Sequence, residues 1–99
     1  MALRIATSRT FTTTAHFVDG QSAKVVFRML PDDEIDRVQG EGLQAMLRAT
    51  VAHIDVEGEG GTLVEFDAEV LDQVIGNAAD ALSLSRAYNE AIITGKLGN

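Results

Sequence analysis

Cysteine is missing from all 99 residues, which rules out disulfides, thiolate metal sites and a cysteine nucleophile. Long apolar runs are missing too: none approaches the ~18 consecutive residues of a membrane span, and Met1 to Thr14 holds no apolar signal core. The expectation is a soluble, cytosolic protein without a membrane partner. Histidine occurs only as His16 and His53, too few to build more than a two-histidine metal site completed by carboxylates such as Asp55. Cations are scarce, with 8 Lys and Arg against 15 Asp and Glu and a net charge of −7. Residues 31–80 carry only Arg37 and Arg48 among their acids, which argues against general nucleic-acid binding.

What is present suits one small domain spanning residues 1–99. Apolar residues make up 45% and charged residues 23%, and a chain of this length is too short for two independent cores. Folding hides only ~65% of the unfolded surface at this size, so burial shared with a second copy fits and a homo-oligomer is expected. The basic side chains Arg4, Arg9, Lys24 and Arg28 face only Asp19 within residues 1–30. A basic front and an acidic middle attract one another between subunits packed head to tail.

Phe11, Thr13, Ala15 and Phe17 alternate along a β-branched and aromatic run, and Val25, Phe27 and Met29 alternate against Lys24 and Arg28. Asp19-Gly20 between them tolerates the positive φ of a tight turn, so residues 1–30 are predicted to form a β-hairpin with one buried face. Two strands alone are marginal, and that face needs helices to cover it or a neighbour's strands to extend it.

Residues 31–99 are predicted to be mainly helical. Pro31 before Asp32, Asp33 and Glu34 is a helix start, with acids at the positive end of the dipole. Ile35, Val38, Gly42, Met46, Val51 and Ile54 then keep a spacing near 3.6, with Leu43 and Leu47 beside them. Gly40 and Gly42 either bend this helix, split it or admit another backbone. Gly58-Glu59-Gly60-Gly61 is the clearest break, and its apolar flanks, Ile54 and Val56 before it and Leu63, Val64 and Phe66 after it, are able to pair as a second hairpin. Asp67 is an N-cap for Ala68 to Gly76, with Gly76-Asn77 as the stop. A final helix from about Ala79 or Asp80 to Thr94 presents Leu84, Ala87, Tyr88, Ala91 and Ile92, and Gly95 ends it. The fold class is therefore α+β: an N-terminal antiparallel hairpin or small sheet packed with about three helices.

Catalytic patterns are weak. Asp55, Glu57, Glu59 and Gly60 echo the start of a calcium loop, but Phe66 stands where the bidentate glutamate belongs. Ser83 and Ser85 have neither a neighbouring histidine nor elbow glycines, and the glycine loop carries negative charge where a phosphate would sit. No catalytic residue, cofactor or metal is expected. The stripe including Leu43, Met46 and Leu47 is the candidate left over for a partner helix, because three amphipathic helices face only a thin hairpin.

The order of hairpin, Pro-Asp-Asp-Glu helix start, long helix, acidic glycine loop, short aromatic or apolar step, Asp-capped Glu-Val-Leu helix and closing Ala-Tyr helix with a small polar tail resembles the tail assembly chaperones of long-tailed bacteriophages over residues 11–99. Phe27, Pro31, Phe66, Glu69, Leu71, Ala87, Tyr88 and Asn99 carry the likeness; many members have a tryptophan near Ile54 to Val56 where this chain has none. The resemblance implies a non-enzymatic protein that binds the tape-measure protein in the host cytoplasm and is absent from the mature virion. It also implies self-association and, in many members, a frameshifted longer form, for which Thr94-Gly95-Lys96 is compatible. The alternative is a small structural component of the tail that stays in the particle. A mimic of DNA would need two rows of acids, and Asp32, Asp33, Glu34 and Asp36 make one knot.

Overall fold

The computed structural model describes residues 2–3 and 9–94. Strands β1 (Thr10–His16) and β2 (Ser22–Arg28) pair antiparallel without interruption, from Thr10 opposite Arg28 to His16 opposite Ser22. The turn between them closes when the Gly20 N–H donates to the Phe17 carbonyl at 3.1 Å, with Gly20 at φ +91°, a value open to glycine because it lacks Cβ. Asp19 accepts from the Gln21 backbone N–H at 3.1 Å and from the Gln21 side-chain amide, and the side-chain bond is the larger cause of a pKa held below the ordinary 3.8.

Pro31 keeps an extended backbone and its carbonyl accepts from Glu34 and Ile35, so it precedes the first helical residue of α1 (Asp32–Gly40). The apolar spacing that continues through Val51 and Ile54 does not make one helix. Gly42, at φ +114° and ψ +167°, turns the chain between α1 and α2 (Leu43–Thr50), and that conformation is essentially restricted to glycine. Beyond Thr50 the backbone extends into β3 (Val51–Ile54), the third strand of a β1-β2-β3 sheet. Val51 and Ile54 thus bury their side chains from a strand, and His53, expected near a helix end, is exposed on that strand. The register of β3 against β2 shifts between Val26 and Phe27, and the Arg28 guanidinium donates to the Val51 carbonyl at 2.8 Å beside that irregularity.

The glycine loop does carry a second hairpin. Strand β4 (Val56–Glu57) pairs with β5 (Leu63–Val64) across a short 3₁₀ turn at Glu59–Gly61. Asp67 caps α3 (Ala68–Ile75) as expected, its Oδ1 accepting from the Val70 N–H at 2.9 Å. Gly76 stays in the right-handed region instead of the left-handed stop, and the neighbouring Asn77 caps α4 (Ala78–Thr94) by accepting from the Asp80 N–H at 3.1 Å. Among the described residues four α-helices therefore accompany the sheet, where about three were expected. Gly95, expected to end α4, lies with Arg4, Lys96 and Asn99 outside the described residues.

The core forms where α4 crosses the sheet. Phe11 and Phe27 from paired strands meet Tyr88 of α4, with ring centroids 5.4, 5.6 and 5.3 Å apart. Ala81, Leu84, Ala87 and Ala91 on the same helical face are buried beside them, whereas Ile92 is 42% exposed and belongs to the outer face. α2 contributes Met46 and Leu47, and Thr50 is buried because its hydroxyl donates to the Met46 carbonyl at 2.9 Å. α3 is fastened to α2 by the Gln44 amide, which donates to the Ile75 carbonyl at 3.0 Å, and at the surface by Arg48 with Asp72 at 2.9 Å. The second contact is exposed and contributes at most about 1 kcal/mol.

Gly42→Ala should destabilise the chain by about 1–3 kcal/mol through its forced φ. Gly40→Ala, a helical position with open space around its Cβ, should stabilise by up to about 1 kcal/mol. Urea denaturation of the two variants checks the pair.

Burial, and then the charge of Asp32, raise the Tyr88 phenol above its ordinary 10.0. A raised folded-state value favours the neutral form, so the contribution is complete below pH 10 and is lost as pH rises through the folded-state value. Tyr88 is the only tyrosine. Its phenolate absorbance should develop later in the folded chain than in urea, and Tyr88→Phe should remove part of the alkaline loss of stability.

Candidate functional site

Where the turn end of the hairpin meets the second hairpin and the helical layer, the chain leaves an open cleft of about 570 Å³. Five separate parts of the sequence build it, the last of them Asp80 of α4. The first hairpin supplies Phe17 and Ala23, the end of β3 and the start of β4 supply Ile54 and Val56, β5 supplies Leu63, and α3 supplies Val74.

Polar groups line the same space. Among the described lining residues Lys24 is the single cation, against the carboxylates of Asp55, Glu57 and Asp80, with Gln21 and Ser22 at the turn. Asp55 is held twice. Its N–H donates to the Lys24 carbonyl at 3.2 Å, and its Oδ1 lies 2.8 Å from His53 Nε2. The His53 ring in turn meets the edge of Phe66 at 5.4 Å. The second hairpin is thereby tied to the sheet by a backbone bond, an exposed polar pair and a ring contact.

Of the two histidines considered as ligands, His53 does meet Asp55, while His16 is exposed at the end of β1. Among the described residues no three His, Asp or Glu converge as a metal site. Glu57 lies in β4 and lines the cleft, so the acidic run at residues 55–59 serves a hairpin. Ser83, one of the two hydroxyls considered, is buried and donates to the Ala79 carbonyl at 2.9 Å within its own helix.

The stripe expected to receive a partner is used internally, which corrects that expectation. Leu47 is fully buried, Met46 is 3% exposed, and Leu43 is half-buried against the same cluster. Their helix packs against α1, α3 and α4, and helical periodicity is the same for a stripe facing the chain's own core as for one facing a partner. Exposed apolar side chains lie elsewhere: Leu82, Ile92 and Ile93 on the outer face of α4, Val18 at the first turn, and Leu63, 65% exposed, at the cleft with Val64 beside it.

With a few carboxylates around an apolar floor, this arrangement is suited to holding an apolar side chain or short segment that carries positive charge. No helix among the described residues is long and apolar enough to cross a membrane. Comparison of the chain with protein-family models, curated proteins and solved structures finds no match.

Proposed function

We propose that this protein is a non-enzymatic chaperone of phage tail assembly, which holds a segment of the tape-measure protein until the tail tube forms around it. The observation that carries the reading is the cleft of mixed lining, in which apolar side chains such as Ile54 and Val74 stand beside Glu57 and Asp80, with Leu63 exposed at its side. A tape-measure helix exposes apolar side chains that aggregate unless covered. The apolar part of the cleft covers a few of them, and the chain's net charge of −7 keeps the complex dispersed.

Its place in this reading is the host cytoplasm, and it leaves before the virion is complete. The resemblance of the sequence pattern over residues 11–99 to tail assembly chaperones supports this. The function needs only a binding surface.

Co-expression with a tape-measure fragment, followed by affinity capture and light scattering, should yield a soluble complex that does not form without this chain. Leu63→Asp changes an exposed side chain and should spare the fold while weakening capture about tenfold, the cost of losing one good apolar anchor. Added salt should weaken the complex further if the carboxylates meet a basic segment. Capture unaffected by Leu63→Asp would remove the cleft from the account. Abundant peptides of this chain in purified virions would replace the chaperone with a structural tail component.

A further inference from the structure

The outer edge of the sheet carries a second binding surface, independent of the cleft. The Met29 N–H donates to the Arg9 carbonyl and the Phe17 N–H to the Gln21 carbonyl, at 3.0 and 2.8 Å, which fixes the parity of the β1-β2 ladder. Odd-numbered residues of β1 spend their backbone groups on β2. The N–H and C=O of Thr10, Thr12, Thr14 and His16 therefore point away from it, and among the described residues β1 pairs with no other strand.

Strand edges of this kind are normally blunted by lysine, proline, a bulge or short length. Strand β1 has none of these: it is seven residues long, runs in unbroken register and holds three exposed threonines and one exposed histidine at the even positions. The opposite edge, β3, is four residues long and lies beside a register shift. Among the described residues one edge is protected and the other is not.

We infer that β1 pairs antiparallel with β1 of a second copy, joining two three-stranded sheets into one of six strands across a two-fold axis. The open groups are self-complementary in the register that sets Thr10 opposite His16 and Thr12 opposite Thr14, with Thr13 on the axis. The inner face remains continuous, because Phe11 then stands opposite Ala15.

Charge also favours this occupant. No side chain in the edge strand is a fixed charge, so pairing brings no like charges together there despite the acidity of the chain. Antiparallel pairing sets the Arg9 end of one copy towards the Asp19 turn of the other, so that opposite charges lie on the same side of the seam. Asp19 is fully exposed.

Light scattering of the full chain over a concentration series should show monomers giving way to dimers. Hydrogen exchange read at single amides should show protection of Thr12 and Thr14 rising with the dimer fraction. In T12K/T14K, exposed side chains change while the β1-β2 ladder keeps its bonds, and each lysine stands opposite another across the axis. Dimerisation should weaken about tenfold or more with an unchanged circular dichroism spectrum. A chain that stays monomeric up to about 0.5 mM, well beyond the concentrations at which a micromolar dimer forms, overturns the inference. So does a dimer that T12K/T14K leaves intact, or one in which the Thr12 and Thr14 amides exchange as fast as in the monomer. Protection of those amides by a tape-measure segment in a one-to-one complex would also overturn it, by giving the edge to another occupant.

Discussion

Phe11, Phe27 and Tyr88 come from two strands and a helix that are far apart in sequence, and their rings close a triangle at the centre of the molecule. A two-stranded hairpin is not stable in water by itself, and a helix of 17 residues is only marginally so. Each obtains its stability from the other through this contact. Aromatic pairs contribute about 0.5–1.5 kcal/mol beyond the area they bury, and the small residues Ala81, Ala87 and Ala91 let α4 come close enough to the sheet for the rings to touch. Once α4 lies on β1 and β2, the remaining pieces have a surface to pack on: α2 inserts Met46 and Leu47, β3 adds Val51 and Ile54, and α3 brings Leu71 and Ile75.

The cleft follows from that order of packing. The helical layer covers the middle of the sheet, and the turn end, where Phe17 and Ala23 sit, is left partly uncovered. The second hairpin, attached through His53, Asp55 and Phe66, walls this space without filling it. Its carboxylates set the sign of the field at the opening. The β1 edge, unpaired among the described residues, lies on the other side of β2 from β3, so a ligand held mainly between β3, β5 and α3 and a second copy paired to β1 occupy largely different sides of the sheet.

The first hairpin was legible in the sequence because seven-residue strands show their alternation and Asp-Gly marks the turn between them. The Asp67 cap was legible for a similarly local reason, since one side chain serves a backbone N–H three residues away. Strand β3 was not. Val51 and Ile54 are three apart and extend a helical series begun at Ile35, and four residues are too few to display a period of two. Pairing with β2, a long-range event, decides their conformation. The fate of Leu43, Met46 and Leu47 was hidden in the same way, because an apolar stripe does not state which surface it meets. The cleft had no local signature at all: residues 17–24, 54–57, 63, 74 and 80 meet only when the second hairpin and two helices are in place.

Native-state hydrogen exchange across the whole chain tests the aromatic joint most directly, because it reads the free energy at which each element opens. If the joint holds the two layers together, the slowest amides of β1, β2 and α4 share one opening free energy, equal to that of global unfolding. The short β4-β5 hairpin and α1 should open at lower cost. Amides of α4 that exchange through openings well below those of β2 would contradict the account, since the helix would then leave the sheet without unfolding it.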